Sequence, residues 1–359
     1  MLNFLGRCVK MCYPQTRSHL DNQSLSMQPK AFDEVPEPLN YKFSKHVLTF
    51  QDFEFGSEKN RLDSIKVKPP HTFKINNKDV LFIPVRHIQL LRGDEKSNEI
   101  KKIQDTLTNF LGDNKCEALL LEGFPIIRSI TSRGRFSLDE KLNQLDRNQN
   151  YDSESDVAIH YLAKNNKIGD IYSAEPDDAQ VITHFLNQQV EKKFLVAYFI
   201  FRNLDFAINK HKDFDSFIDS ELFRLNENIV SVIKKDNLTE MAQSILNNKE
   251  FEFNLKCLNQ KHFRESPNYQ ALIQCAQPPK YPQIHDDATK INDLANNVSH
   301  FRDINLLTEI NHATKTYGEA NKSKIVVMYG AQHFTTLFPA LKILASSNQP
   351  LEEIINDDN

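Results

Sequence analysis

The sequence predicts an α/β fold: a mostly parallel central sheet flanked by helices, with a large all-helical insertion. Three observations predict it. Four short apolar runs, at 81–85, 118–121, 171–174 and 324–329, are separated by segments of helical period, as buried parallel strands are. Each run leads into a residue suited to metal binding or proton transfer: Arg86-His87, Glu122-Gly123, Glu175-Pro176 and Gly330-Ala331-Gln332-His333. Between 178 and 317 the strand signal nearly disappears while the helical period persists.

The elements follow in order. Residues 1–40 are polar, contain Ser, Gln and Pro, and end in Glu34-Val35-Pro36-Glu37-Pro38. They read as a tail with little core of its own. Residues 41–68 carry scattered aromatics (Phe43, Phe50, Phe53, Phe55) and weak alternation, which suits an edge strand or a packed strap. Residues 71–75 and 78–85 flank Asn76-Asn77, and asparagine tolerates the positive φ of a two-residue hairpin turn.

Ile100, Ile103, Leu107, Phe110 and Leu111 share a helical face, and Gly112 suits its stop. The strand before Glu122 comes next, then a polar loop over 129–150. Ser153 with Asp156 makes a capping-box-like start to a helix carrying Val157, Tyr161 and Leu162. Gly169 and the strand before Glu175 complete a βαβ rhythm. Residues 181–203 read as a buried apolar helix, bounded by Lys192, Lys193 and Arg202 too closely for a membrane span. Amphipathic helices at 214–247, a rigid Pro-rich loop at 277–282 and a helix through Ile304, Leu307 and Ile310 lead into the last strand. The expected organisation is a tail (1–40), a first α/β half with the hairpin (41–177), a helical insertion or lid (178–317) and a last strand and helix (318–359).

Composition narrows the class. A net charge of -4 with 26% charged residues gives no reason to expect nucleic acid or an anionic membrane as partner. No apolar run is long enough for an integral membrane segment, and the first seven residues lack the apolar core of a signal peptide. Five cysteines (Cys8, Cys12, Cys116, Cys257, Cys275) are an odd, sparse set. They argue against a disulfide framework and for a reducing, cytoplasmic compartment. Cys116, just before a strand, reads as a small buried hydrophobe.

In open parallel sheets, ligands bind outside the carboxyl ends of the strands, so His87, Glu122, Glu175 and His333 should converge. His87, His333 and one of the glutamates would form a two-histidine, one-carboxylate set for a divalent ion such as Mn, Co, Zn or Fe, with positions left for water and substrate. The other glutamate would act as general base or orient a histidine. The same groups also suit metal-free chemistry, a histidine deprotonating water while Arg86 or Arg302 stabilises the oxyanion. Spacing does not separate the two. Gly330, three residues before His333, suits a sharp turn and a close approach to a ligand. Singly, each residue has a plainer reading. Glu122 can cap a strand, and Glu175-Pro176-Asp177-Asp178 suits an acidic helix N-terminus. Their shared topological position favours a site. His184, His211, His262, His285, His300 and His312 read as surface or packing histidines, with His300 beside Arg302 nearest the motif.

These residues resemble the TraB/TIKI superfamily, which includes ChaN-like and erythromycin-esterase-like proteins. Gly330-Ala331-Gln332-His333 is similar to its second GxxH motif. Pro84-Val85-Arg86-His87 occupies the first slot, with proline where the family prefers glycine. Leu120-Leu121-Glu122-Gly123 with Arg128 looks like its strand-borne glutamate and arginine. Ser173-Ala174-Glu175-Pro176 sits where the family has an acidic residue, and Phe301-Arg302-Asp303-Ile304 is similar to its arginine–acid helix. The resemblance covers about residues 71–344, the helical region only loosely. It implies a metal-assisted or metal-free hydrolase of a peptide or a small ester or amide. Alternatively it implies a binding or regulatory protein for haem, metal or a protein partner, with the helical insertion as the gripping surface.

Overall fold

Asn76 and Asn77 start the sheet, with φ of 50° and 62°. The two positive angles match the twist that joins paired strands directly. In the computed structural model, which describes residues 41–49, 69–85, 91–122, 138–148, 151–204, 235–252, 265–277, 286–317 and 323–347, β1 (His71–Ile75) pairs antiparallel with β2 (Lys78–Val85). Their register runs from Ile75↔Lys78 to His71↔Phe82. Asn76 also donates through Nδ2 to Thr314 Oγ1 at 2.8 Å, which ties the turn to the long helix below it.

All the other pairings are parallel. β3 (Cys116–Leu121), β4 (Asp170–Ser173) and β5 (Lys324–Gly330) complete a sheet of order β1-β2-β5-β3-β4. The last strand in sequence is thus the central one. Val85 stands beside Gly330, Leu121 beside Met328 and Ser173 beside Leu121. Strands whose ends align in this way deliver whatever follows them to one edge of the sheet. At the other edge, Lys324 Nζ pairs with Asp79 Oδ2 at 2.5 Å and lies 4.8 Å over the Phe110 ring.

One face of the sheet packs on α2 (Gly93–Leu111) and α4 (Glu154–Lys164). Ile103, Leu107, Val157 and Ile159 meet Leu81, Ile83, Leu119, Val326 and Met328 in one cluster. Gly112, at φ 54°, ends α2 and donates to Thr108 O. Ser153 caps α4 by accepting the Asp156 N–H at 3.2 Å. Gly169 has no room for a side chain, because a Cβ there would sit 2.3 Å from the Cys116 carbonyl oxygen. Cys116 is fully buried, and burial pushes its thiol up to about 12.

The opposite face packs on α10 (Ala331–Ser346), whose Phe334 ring lies 4.8 Å from that of Phe82. Pro339 lies inside α10 and supplies no N–H to the helix ladder. One turn earlier, the Thr336 carbonyl accepts the Leu48 N–H at 3.0 Å. Of the two alternatives for residues 41–68, an edge strand or a packed strap, the described part, 41–49, takes the second. These residues form a short helix, α1 (Tyr41–Ser44), and a strap over α10. Residues 50–68 and the expected tail at 1–40 lie outside the described residues.

Two expectations are corrected. The loop expected over 129–150 contains α3 (Leu138–Asn148). Leu138, Leu142 and Leu145 recur at helical spacing, and Leu145 is buried, so the apolar period outweighs the polar composition around it. The single helix expected over 181–203 is two, α5 (Asp178–Asn187) and α6 (Lys192–Arg202). Gln189, at φ 63°, ends the first of them, with Val190 N–H returning to Phe185 O, a left-handed helix stop.

Between β4 and β5 the described elements are all helical: α5, α6, α7 (Lys235–Leu246), α8 (Pro267–Cys275) and α9 (Asp286–Thr316). They build their own core. Residues 194–201 of α6 are buried on every side, as an all-round apolar helix must be. No described helix is long and apolar enough to cross a membrane. α9 belongs to both halves. Ile291, Leu294 and Val298 enter the helical core, while its later residues contact β5 and α10. The residues between, 302–305, therefore lie where the helical region meets the strand ends. The segments at 205–234 and 278–285 lie outside the described residues.

Candidate functional site

Three strand ends meet α9 and the first turn of α10. Glu122 follows β3 by one residue, Glu175 follows β4 by two, and His333 stands in the first turn of α10 after β5. One ligand atom from each of the three lies within 4.8 Å of the others. Glu122 and Glu175 are part-buried, at 19% and 17% side-chain exposure, and His333 is nearly buried.

Gly330 explains how Glu122 enters. Its backbone N–H donates to Glu122 Oε2 at 2.5 Å. Gly330 is the N-cap of α10 and no side chain of its own caps that helix, so the neighbouring strand's carboxylate takes the place of a cap. A Cβ at position 330 would stand 3.0 Å from that oxygen. With φ at -51°, glycine is required for close approach and not for an unusual backbone angle.

His333 is held at both ring nitrogens. Nδ1 bonds Asp303, and Nε2 lies 3.5 Å from Glu122 Oε1. Asp303 is buried, at 1% side-chain exposure. Its second oxygen accepts from Thr336 Oγ1 at 2.7 Å, and that hydroxyl is also 2.9 Å from the His333 carbonyl. Burial works against a charged imidazole here, but the charge and hydrogen bond of Asp303, together with Glu122, outweigh it and push His333 up to about 9. With Nδ1 engaged, Nε2 is the atom that faces the glutamates.

Arg302, the residue before Asp303, turns the other way. It is ion-paired with Glu175, and its Nη2 lies 3.6 Å from Glu122 Oε1. Asn305 donates to the Ala174 carbonyl at 2.6 Å, pinning α9 to the loop that carries Glu175. The acidic helix start expected at 175–178 is supplied by Asp177, which caps α5 reciprocally with Gln180. Glu175 is left to the cluster. Tyr329, fully buried on β5, has Glu122, Arg302 and Glu309 among the charges around its hydroxyl, and burial raises its pKa well above the ordinary value.

Of the residues singled out in the sequence, the structure brings together Glu122, Glu175, Arg302 and His333. Arg86, His87 and Arg128 lie outside the described residues. His300 is on α9, with its Nδ1 buried and without a hydrogen-bond partner, and His184 stacks on Phe301 at 3.9 Å. The sequence reading did not single out Asp303, Thr336 or Tyr329 as site residues. Asp303 stands inside the Arg302 motif and Thr336 is one helical turn from His333, but it is the packing of α9 against α10 that brings them together.

The donor set suits a divalent ion. Carboxylate and imidazole are the usual ligands of Zn, Mn, Co and Fe, and a carboxylate on the far ring nitrogen is the common support for a ligating histidine. No family model, curated protein or solved structure matches this chain.

Proposed function

We propose that the chain is a TraB/TIKI-like hydrolase, metal-assisted, that attacks an amide or ester bond with water activated between Glu122, Glu175 and His333. One observation carries the reading: three ligand atoms within 4.8 Å of one another, one of them on an imidazole whose other nitrogen is fixed by buried Asp303. Glu122, Glu175 and His333 are the residues that would hold a divalent ion, which would supply Lewis acidity and a water of lowered pKa. Glu122 or Glu175 takes up a proton at the crevice. Asp303 and Thr336 hold the imidazole in one orientation, which saves reorganisation during the reaction. Arg302 lies beside both glutamates, where its guanidinium meets charge developing on a substrate oxygen. His87 is a further ligand in this reading, and the helices between β4 and β5 form a lid over the crevice.

Chelation tests it. The protein should hydrolyse amide or ester probes, lose that activity to a chelator, and recover it with one of Mn, Co, Zn or Fe. Hydrolysis untouched by chelators would shift the reading to histidine-base chemistry at His333.

A second reading, a binding or regulatory protein on the same scaffold, has one observation in its favour. Arg302 already pairs with Glu175 and approaches Glu122, so each carboxylate has a cationic side chain beside it without a metal ion. A haem absorbance band on titration, with no hydrolysis of any probe, would support it.

A further inference from the structure

Arg202 closes α6, the apolar helix of the region between β4 and β5. Its Nη1 donates to the Tyr198 hydroxyl at 3.2 Å, one turn earlier, and its guanidinium sits 5.9 Å from the Tyr198 ring. Tyr198 is buried at 3% exposure, so the aromatic platform under the guanidinium is fixed. Among the described residues Arg202 has no carboxylate within ion-pair distance. The acidic groups near enough to act on it are Asp178, at the start of α5, and Glu122 of the cluster. Packing agrees with that placement, since α6 lies against α9, the helix that carries Arg302. A guanidinium has five donors in a planar fork, and one neutral hydroxyl uses only the first. A part-buried cation normally finds an anion, and here none of the described side chains serves.

We propose that Arg202 binds an anionic group of the substrate, most simply a carboxylate, and so selects acidic esters or amides at the Glu122–Glu175–His333 crevice. This rests on the hydrolase reading above and names its substrate class. The two arginines divide the work. Arg302 is committed to the glutamates at the reacting centre. Arg202 presents its remaining donors from the helical side, stiffened by Tyr198. Two parallel N–H···O bonds to a carboxylate are the geometry this fork favours.

The test compares two substrates on one ring: the p-nitrophenyl ester of terephthalic acid with its second carboxyl free, too distant to attack the ester itself, and the same ester with that carboxyl methylated. In hydrolysis the water oxygen bonds the ester carbonyl carbon, the bond to the nitrophenol oxygen breaks, and nitrophenol leaves. Wild type should prefer the free-carboxyl ester by about tenfold or more in kcat/KM, as bidentate charged contacts allow. In Arg202→Gln the ratio should fall to about one through a raised KM, and Arg202→Lys should recover part of it. A ratio near one in wild type, or one that survives Arg202→Gln, overturns the proposal while leaving the hydrolase reading in place. Should neither ester be hydrolysed, calorimetry with terephthalate decides the anion site separately from the hydrolase reading. Heat of binding lost in Arg202→Gln supports it, and no heat in wild type overturns it.

Discussion

Gly330 and Glu122 meet across the sheet at 2.5 Å, backbone N–H to carboxylate, and that contact fixes both the start of α10 and one wall of the candidate site. Replacing Gly330 with alanine puts a methyl group 3.0 Å from Glu122 Oε2. The carboxylate is part-buried and tied to Arg302 and His333, so it has little freedom to withdraw. Gly330→Ala should destabilise the fold by about 1–3 kcal/mol, in the range of overpacked sites. It should also weaken divalent-ion binding at least tenfold, read by calorimetry against wild type.

Asp303 makes the protein's stability pH-dependent. His333 has a folded pKa of about 9, above its ordinary value near 6.5. The stabilisation this provides is fully present below pH 6.5 and is lost as pH rises through 9. In metal-free protein, urea unfolding at pH 6 and pH 9.5 should differ by up to about 3 kcal/mol from this group. Asp303→Asn should flatten the difference and lower stability chiefly at the acid end.

Thr336 offers a milder probe of the same support. Its hydroxyl donates to buried Asp303 at 2.7 Å, and a hydrogen bond to a charged acceptor contributes about 1.5–3 kcal/mol. Thr336→Val should cost that much in unfolding free energy. Its divalent-ion affinity should fall by about 10-fold or more, as it does when a ligand's outer support is removed.

The hairpin makes a separate prediction. Asn77 has φ of 62°, a conformation that costs a β-branched residue about 1–2 kcal/mol. Asn77→Val should lose that amount of stability, whereas Asn77→Gly should stay within about 0.5 kcal/mol of wild type. Chemical denaturation of the two variants side by side checks the turn without touching the site.

What could be read ahead of the structure depended on range. The Asn76-Asn77 turn and the strand runs at 78–85, 118–121 and 324–329 were legible, because φ preference and burial on both faces are local properties. That three strand ends share an edge followed from parallel pairing, even though β5 is the last strand in sequence and the middle one in space. Helix α3 was hidden by charged neighbours around three leucines, and the break at Gln189 carries no glycine or proline to announce it. Asp303 is the instructive omission. Its meaning depends on the face of α9 it occupies, and only the packing of α9 against α10 reveals that this face meets His333. Arg202 was passed over for a similar reason. In sequence it closes an apolar run, and only the packing of α6 on α9 shows what surrounds it.

The central claim is that Glu122, Glu175 and His333 form one metal site, and elemental analysis tests it most directly. Wild type equilibrated with divalent ions and then desalted should carry about one ion per chain, as a high-affinity three-ligand site does. Glu122→Gln and His333→Ala, folded by circular dichroism, should carry none. Folded wild type that retains no ion, or variants that retain as much as wild type, would contradict it.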